Sequence, residues 1–187
     1  LIATFTDYLD VVKYLISEGA NNFNEALQSA TVNGYLDIVK YLMTKKGATI
    51  SKISLQRAVM NGHLNILEYL FLEVIKRGYS HKVAFLLQMY FVELSDYLDS
   101  QKIRKEALFG GDINTLMVLL DYGIIDLNET LIDACVLPMH FESNRLNIVK
   151  FLLVNGATDL NEALRAATSS ISKNKHIIDL LIHNGAK

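Results

Sequence analysis

The chain has no tryptophan, one proline and one cysteine in 187 residues. Each scarcity excludes something. A single thiol, Cys135, builds neither a disulfide framework nor a zinc cluster, and it suits a reducing compartment. With one proline and no low-complexity tract, no disordered linker divides the sequence. An excess of one charge is also missing. The net charge of −2 argues against the basic footprint of a nucleic-acid-binding protein and against a polybasic membrane anchor. Long hydrophobic runs are absent too. The longest, Val83 to Leu94, holds Gln88 and Glu93 and falls short of the roughly 20 residues that cross a bilayer. No signal-peptide pattern opens the sequence. The expected setting is therefore intracellular and cytoplasmic.

What the chain does have is a series. "GYLDIVKYL" begins at Gly34, and variants of it begin at Asp7 (DYLDVVKYL), Gly62 (GHLNILEYL), Gly111 (GDINTLMVL), Asn144 (NRLNIVKFL) and Lys173 (KNKHIIDLL). The last leucines of the copies are Leu15, Leu42, Leu70, Leu119, Leu152 and Leu181. They are 27, 28, 49, 33 and 29 residues apart, which is a solenoid period with one long step that fits two shorter units. Leu36, Val39, Leu42 and Met43 stand at helical spacing, so each copy predicts an amphipathic helix with one buried stripe. Asp10, Asp37, Asn65, Asn114 and Asn147 suit the first turn of that helix, where backbone N–H groups lack partners. A glycine follows each copy and suits a left-handed cap.

A second helix precedes the copies. Its segments begin at Asn24, Ser54, Arg104, Asn128 and Asn161 and share the small residues Ala30, Ala58, Ala107, Ala134 and Ala167, which let neighbouring helices approach closely. Gly34, Gly62 and Gly111 break the chain between the two helices. Each unit reads helix, tight turn, helix, loop. A unit of this size cannot bury its apolar face alone, so stacking must supply the partner.

These residues resemble an ankyrin-repeat array. "NGHLNILEYL" and "NGYLDIVKYLMTKKGA" are close to the second half of the family pattern. The first half departs from it: where the family has Thr-Pro-Leu-His, this chain has Glu25-Ala26-Leu27-Gln28. The resemblance implies an all-α ankyrin-repeat solenoid of about six to seven units. Because the period is shorter than the family's, the β-hairpin fingers are expected to be short or missing. The narrower likeness is to the short-repeat arrays of giant DNA viruses, with amoebal and bacterial-effector ankyrins as alternatives; for a viral protein the setting would be the host cytoplasm.

The expected organisation is one domain over residues 1–187, forming part of a longer protein. Its first unit is truncated at 1–20, with Leu1 already inside an inner helix. Residues 79–100 form a degenerate unit of two short helices without a glycine turn. The outer helix that runs on past Leu70 is expected to be about one turn longer than its neighbours, and residues 136–143 are an insertion with the only proline. That insertion reads equally as a drifting loop or as a binding loop.

Catalytic patterns are scarce. His63 adjoins a turn glycine and reads as structural. His140 and Glu142 lack a third ligand nearby, and Cys135 lies in an inner helix where packing is expected rather than nucleophilic chemistry. "FGGDINT" lacks the lysine and spacing of a phosphate loop. Lys13, Lys40 and Lys150 read as a solvated face, and Tyr14, Tyr41, Tyr69 and Phe151 as a half-buried packing stripe behind them. No enzyme activity, cofactor, metal, small-molecule ligand, nucleic acid or membrane is expected. The family resemblance implies a protein partner on the concave face of inner helices and loops. The matching positions are Val32, Asn33, Arg57, Met60, Asn61, Phe109, Gly110, Arg165, Ser169 and Ser170, with Ser29, Glu106 and Asp133 upstream on the same face. Met60 and Phe109 are candidate anchors, because they are apolar where exposure is expected. They could instead pack against the neighbouring unit. A structural or self-assembling role, in a viral particle or a scaffold, is the alternative function.

Overall fold

The computed structural model describes residues 6–95, 98–136, 142–170 and 174–187. They form helices and loops, with no strand among the described residues. Leu1 and the greater part of the 136–143 insertion lie outside the described residues. Contacts divide the chain into two compact units, Leu1–Leu70 and Phe71–Lys187, with the boundary inside one helix.

The first unit holds α1 (Thr6–Ser17), α2 (Phe23–Val32), α3 (Leu36–Lys46), α4 (Lys52–Met60) and the start of α5 (Leu64–Lys76). Helix α2 packs on α3 and on α4, and α1 packs on α3. Inner helices thus follow inner helices and outer follow outer, as stacking requires. The second unit continues with α6 (Ser80–Ser95), α7 (Ser100–Gly110), α8 (Ile113–Asp121), α9 (Leu127–Val136), α10 (Glu142–Val154), α11 (Leu160–Ser169) and α12 (Lys175–His183). There α7 packs on α8 and α9, α9 on α10 and α11, and α12 on α10 and α11. This is an all-α solenoid of stacked helix pairs. Helix α6 packs on α8 and is broken at Tyr90, where φ −137° and ψ 20° leave the helical region. Two helical pieces meet there with no glycine between them.

The repeated leucine is the centre of each layer. Leu42, Leu70, Leu119, Leu152 and Leu181 are fully buried, as are Val39, Leu67, Leu116 and Val149 one turn earlier. The alanines are equally enclosed. Leu15 differs at 51 % exposure, and Tyr14 is exposed rather than half-buried, because α1 has only α3 packed closely against it among the described elements. Tyr41, Tyr69 and Phe151 are half-buried as expected, and Lys40 Nζ stands 5.7 Å from the Tyr69 ring centre.

Two glycines at the helix ends meet different demands. Gly34 has φ +81°, and a Cβ there would fall 2.7 Å from His63 Cε1. Gly110 is helical, but a Cβ would meet the backbone oxygen of Lys76 at 2.8 Å. One serves conformation and the other close approach. Asp37 and Asn65 do occupy first turns. The side-chain caps, however, come from Ser51, Asp99, Asp112 and Asn174, each accepting a backbone N–H three residues on.

The loops are tied by asparagine. Asn24 Oδ1 accepts from Thr49 N at 2.9 Å, and Asn161 Oδ1 accepts from Lys187 N at 2.7 Å. Asn128 Oδ1 accepts from Thr158 N at 2.7 Å and from Asp159 N at 3.2 Å. Each asparagine opens an inner helix and holds the loop that follows the partner outer helix. A side-chain amide therefore does locally what a β-hairpin ladder would do with backbone.

Two stability predictions follow from these contacts. Leu42→Ala costs about 2–5 kcal/mol in urea denaturation, whereas Leu15→Ala, at the same repeat position but half exposed, costs less than about 1 kcal/mol. Asn128→Ala costs about 0.5–1.5 kcal/mol, and Asn128→Asp, which keeps the acceptor, costs less.

Candidate protein-binding surface

The ends of the inner helices carry the expected docking residues. In the first unit, Ser29, Val32, Asn33 and Arg57 line one open cleft of about 230 Å³, together with Glu25 and Gln28. Met60 stands on the same helix as Arg57 and is 76 % exposed. It does not pack into a neighbouring unit.

Several of these groups also hold the turns. Asn33 Nδ2 donates to Ser29 O at 2.8 Å. Asn61 Nδ2 donates to Val32 O at 2.8 Å, and His63 Nε2 lies 3.0 Å from the same oxygen. Val32 O thus receives two groups from the next helix pair, and His63 is structural. Side-chain chemistry left for a partner comes mainly from Arg57, Met60 and Ser29.

In the second unit, Phe109 is exposed at the end of α7, and Gly110 lies against the α5 backbone. Arg165 and Ser169 are exposed on α11, where Arg165 lines a polar cleft of about 360 Å³ with Asp159, Asn161 and Glu162. Ser170 is buried, its hydroxyl 3.4 Å from Val136 O, so it is withdrawn from the surface. Glu106 is half-buried.

Asp133 is occupied. It accepts from Arg104 Nε at 2.6 Å, and Glu129 accepts from the other arm of the same guanidinium. Arg104 is buried. Burial opposes its charge, but the hydrogen bonds and charges of Asp133 and Glu129 outweigh that and hold its pKa above the usual value. Sequence reasoning passed over this cluster. Its signal was an arginine on one inner helix matched by two carboxylates, four residues apart, on the next.

Cys135 is buried, and desolvation pushes its thiol up to about 12, with the Arg145 charge opposing weakly. Arg145 donates from Nε to Ala134 O at 2.8 Å and from its second arm to Cys135 O, so it closes the end of α9. A thiol in this state is not a nucleophile at neutral pH. No group of three His, Cys, Asp or Glu side chains placed to hold a metal occurs among the described residues. His140 lies outside them, as does the Glu142 side chain. No helix among the described residues is long and apolar enough to cross a membrane.

Residues 1–80 match the family model for ankyrin repeats, in three copies. Over that stretch the chain is similar to ankyrin repeats. No curated protein matches it at a significant level. Ankyrin repeats serve in general for protein–protein contact, and what residues 1–80 share with them is a repeat surface.

Burial of Cys135 has a measurable consequence. Native protein resists iodoacetamide at pH 8 and reacts once unfolded. The folded pKa is raised from 9.0, so the protonated thiol favours the fold fully below about pH 9. Stability then falls as pH rises from 9 toward 12, and Cys135→Ser removes that portion of the alkaline loss in pH-dependent denaturation.

Proposed function

We propose that this chain is a recognition module whose partner protein docks on the exposed ends of the inner helices. Met60 is the central anchor, and Phe109 is a second. The observation that carries the reading is the exposure of Met60, a large flexible apolar side chain beside the Ser29–Arg57 cleft, on a surface that the fold leaves open. Arg57 and Arg165 supply directional charge, and Val32, Asn33, Asn61 and Ser169 the surrounding contact. The whole chain acts as one array, with residues 79–100 as a degenerate unit. The likeness to short viral arrays makes a host cytoplasmic protein the expected partner.

A second reading is a self-assembling component. Tyr8, Val11, Tyr14 and Leu15 support it, because they leave one face of α1 apolar and exposed. Light scattering at increasing concentration separates the two: a constant monomer mass removes self-assembly.

The recognition reading is tested by affinity capture from lysate with mass spectrometry. The parent is expected to retain a discrete partner that folded Met60→Asp loses and Phe109→Asp weakens. Identical capture by parent and variants would move the binding surface elsewhere.

A further inference from the structure

One register position of the outer helices is charged in five copies: Lys13, Lys40, Glu68, Lys150 and Asp179. In α8 the residue at that position is Met117, and it is 44 % exposed. Beside it the second unit holds an open groove of about 320 Å³. Its lining includes Met117 and Leu120 from α8, Phe151 from α10 and the buried Ile125 of the intervening loop. Such a volume matches the lower end of ordinary ligand sites. The groove lies between α8 and α10, with Leu127 at the start of α9 also in its lining, and it includes none of the docking residues named above on the inner helices.

The remaining lining has a definite charge. Asp121 and Asp126 contribute carboxylates, and no basic residue lines the groove. Asp126 Oδ1 accepts the backbone N–H groups of Asn128 and Glu129, so this carboxylate is partly engaged in starting α9. Asp121 is exposed and is the last residue of α8. Helix carbonyls already gather negative charge there. Helix α3 answers its own C-terminus with Lys45 and Lys46, whereas α8 has no basic residue in its last turn. A cation is therefore the complementary group at this rim, and the apolar wall beside it asks for a hydrocarbon side chain.

We propose that this groove binds a short peptide segment that seats an aliphatic side chain against Met117, Leu120 and Phe151 and places a lysine or arginine at Asp121. The exchange of a charge for Met117 provides the contact, and Asp121 provides its polarity. Acidic or purely polar segments are rejected, because they would bring like charge to the rim or leave the apolar wall unfilled.

The chain has five methionines, so methyl-labelled methionine gives few, separable NMR signals. The probe is acetyl-Arg-Leu-Leu-Arg-amide, with one control peptide carrying glutamate for arginine and another glycine for leucine. The expected result is a saturable shift of the Met117 methyl, none at Met60, and no response to either control. In fluorescence polarisation with the labelled probe, Met117→Lys weakens binding by at least about tenfold. Asp121→Asn weakens it by about threefold and flattens its salt dependence. Lysine occupies the same position in other copies, and an unchanged melting temperature verifies the fold of each variant. Met60→Asp leaves the affinity unchanged, which separates this site from the inner-helix reading. An unmoved Met117 signal at millimolar probe, an equal response to the glutamate peptide, or retained affinity in folded Met117→Lys would overturn the proposal.

Discussion

A pair of short helices cannot hide its own apolar stripe, and the rest of this structure depends on how that stripe is covered. Leu42 is wholly enclosed because α2 lies against α3 and a further inner helix lies against α2. Close approach is what makes this work, since dispersion and water exclusion both fade within a fraction of an ångström of lost contact. Ala30 and Ala58 permit that approach, and the glycine turns return the chain to the same layer. Leu15 shows the rule from the other side. Its sequence surroundings match those of Leu42, yet half of it faces solvent.

Stacking also leaves a polar problem at the loops, where backbone N–H groups have no ladder to join. Asn24, Asn128 and Asn161 solve it with one acceptor each. At the opposite ends of the helix pairs, Asn33, Asn61 and His63 are drawn into holding turns. Much of the polar chemistry on the repeat surface is thereby spoken for. Met60, Arg57 and Ser29 stay open on the inner side, and Met117 stands beside an acidic rim on the outer side. The two surfaces differ in charge: Arg57 stands on the first, and Asp121 and Asp126 line the second.

The second unit adds two buried guanidinium groups. Arg104 joins α7 to α9 through Asp133 and Glu129, and Arg145 draws α10 onto the last carbonyls of α9. Buried charges of this kind are costly to leave unpaired.

Periodicity alone carried the all-α solenoid, because helical spacing and a repeated leucine demand helices that must stack. The turn glycines and the packing alanines were legible for the same reason: backbone geometry and close approach restrict those positions to very few residue types. Residue type did not reveal which members of a repeated column would be covered, so Leu15 and Tyr14 read like their copies and differ in space. Nor did it separate Ser170, buried with its hydroxyl toward Val136 O, from Ser169, which is exposed. The roles of Asn24 and Asn128 were hidden although the residues recur, since a hydrogen bond across 25 or 30 residues has no local signature. The Arg104 cluster and the α8–α10 groove were likewise decided by tertiary structure. Both depend on the distance between helices, and that distance is set by packing rather than by the order of residues along one helix.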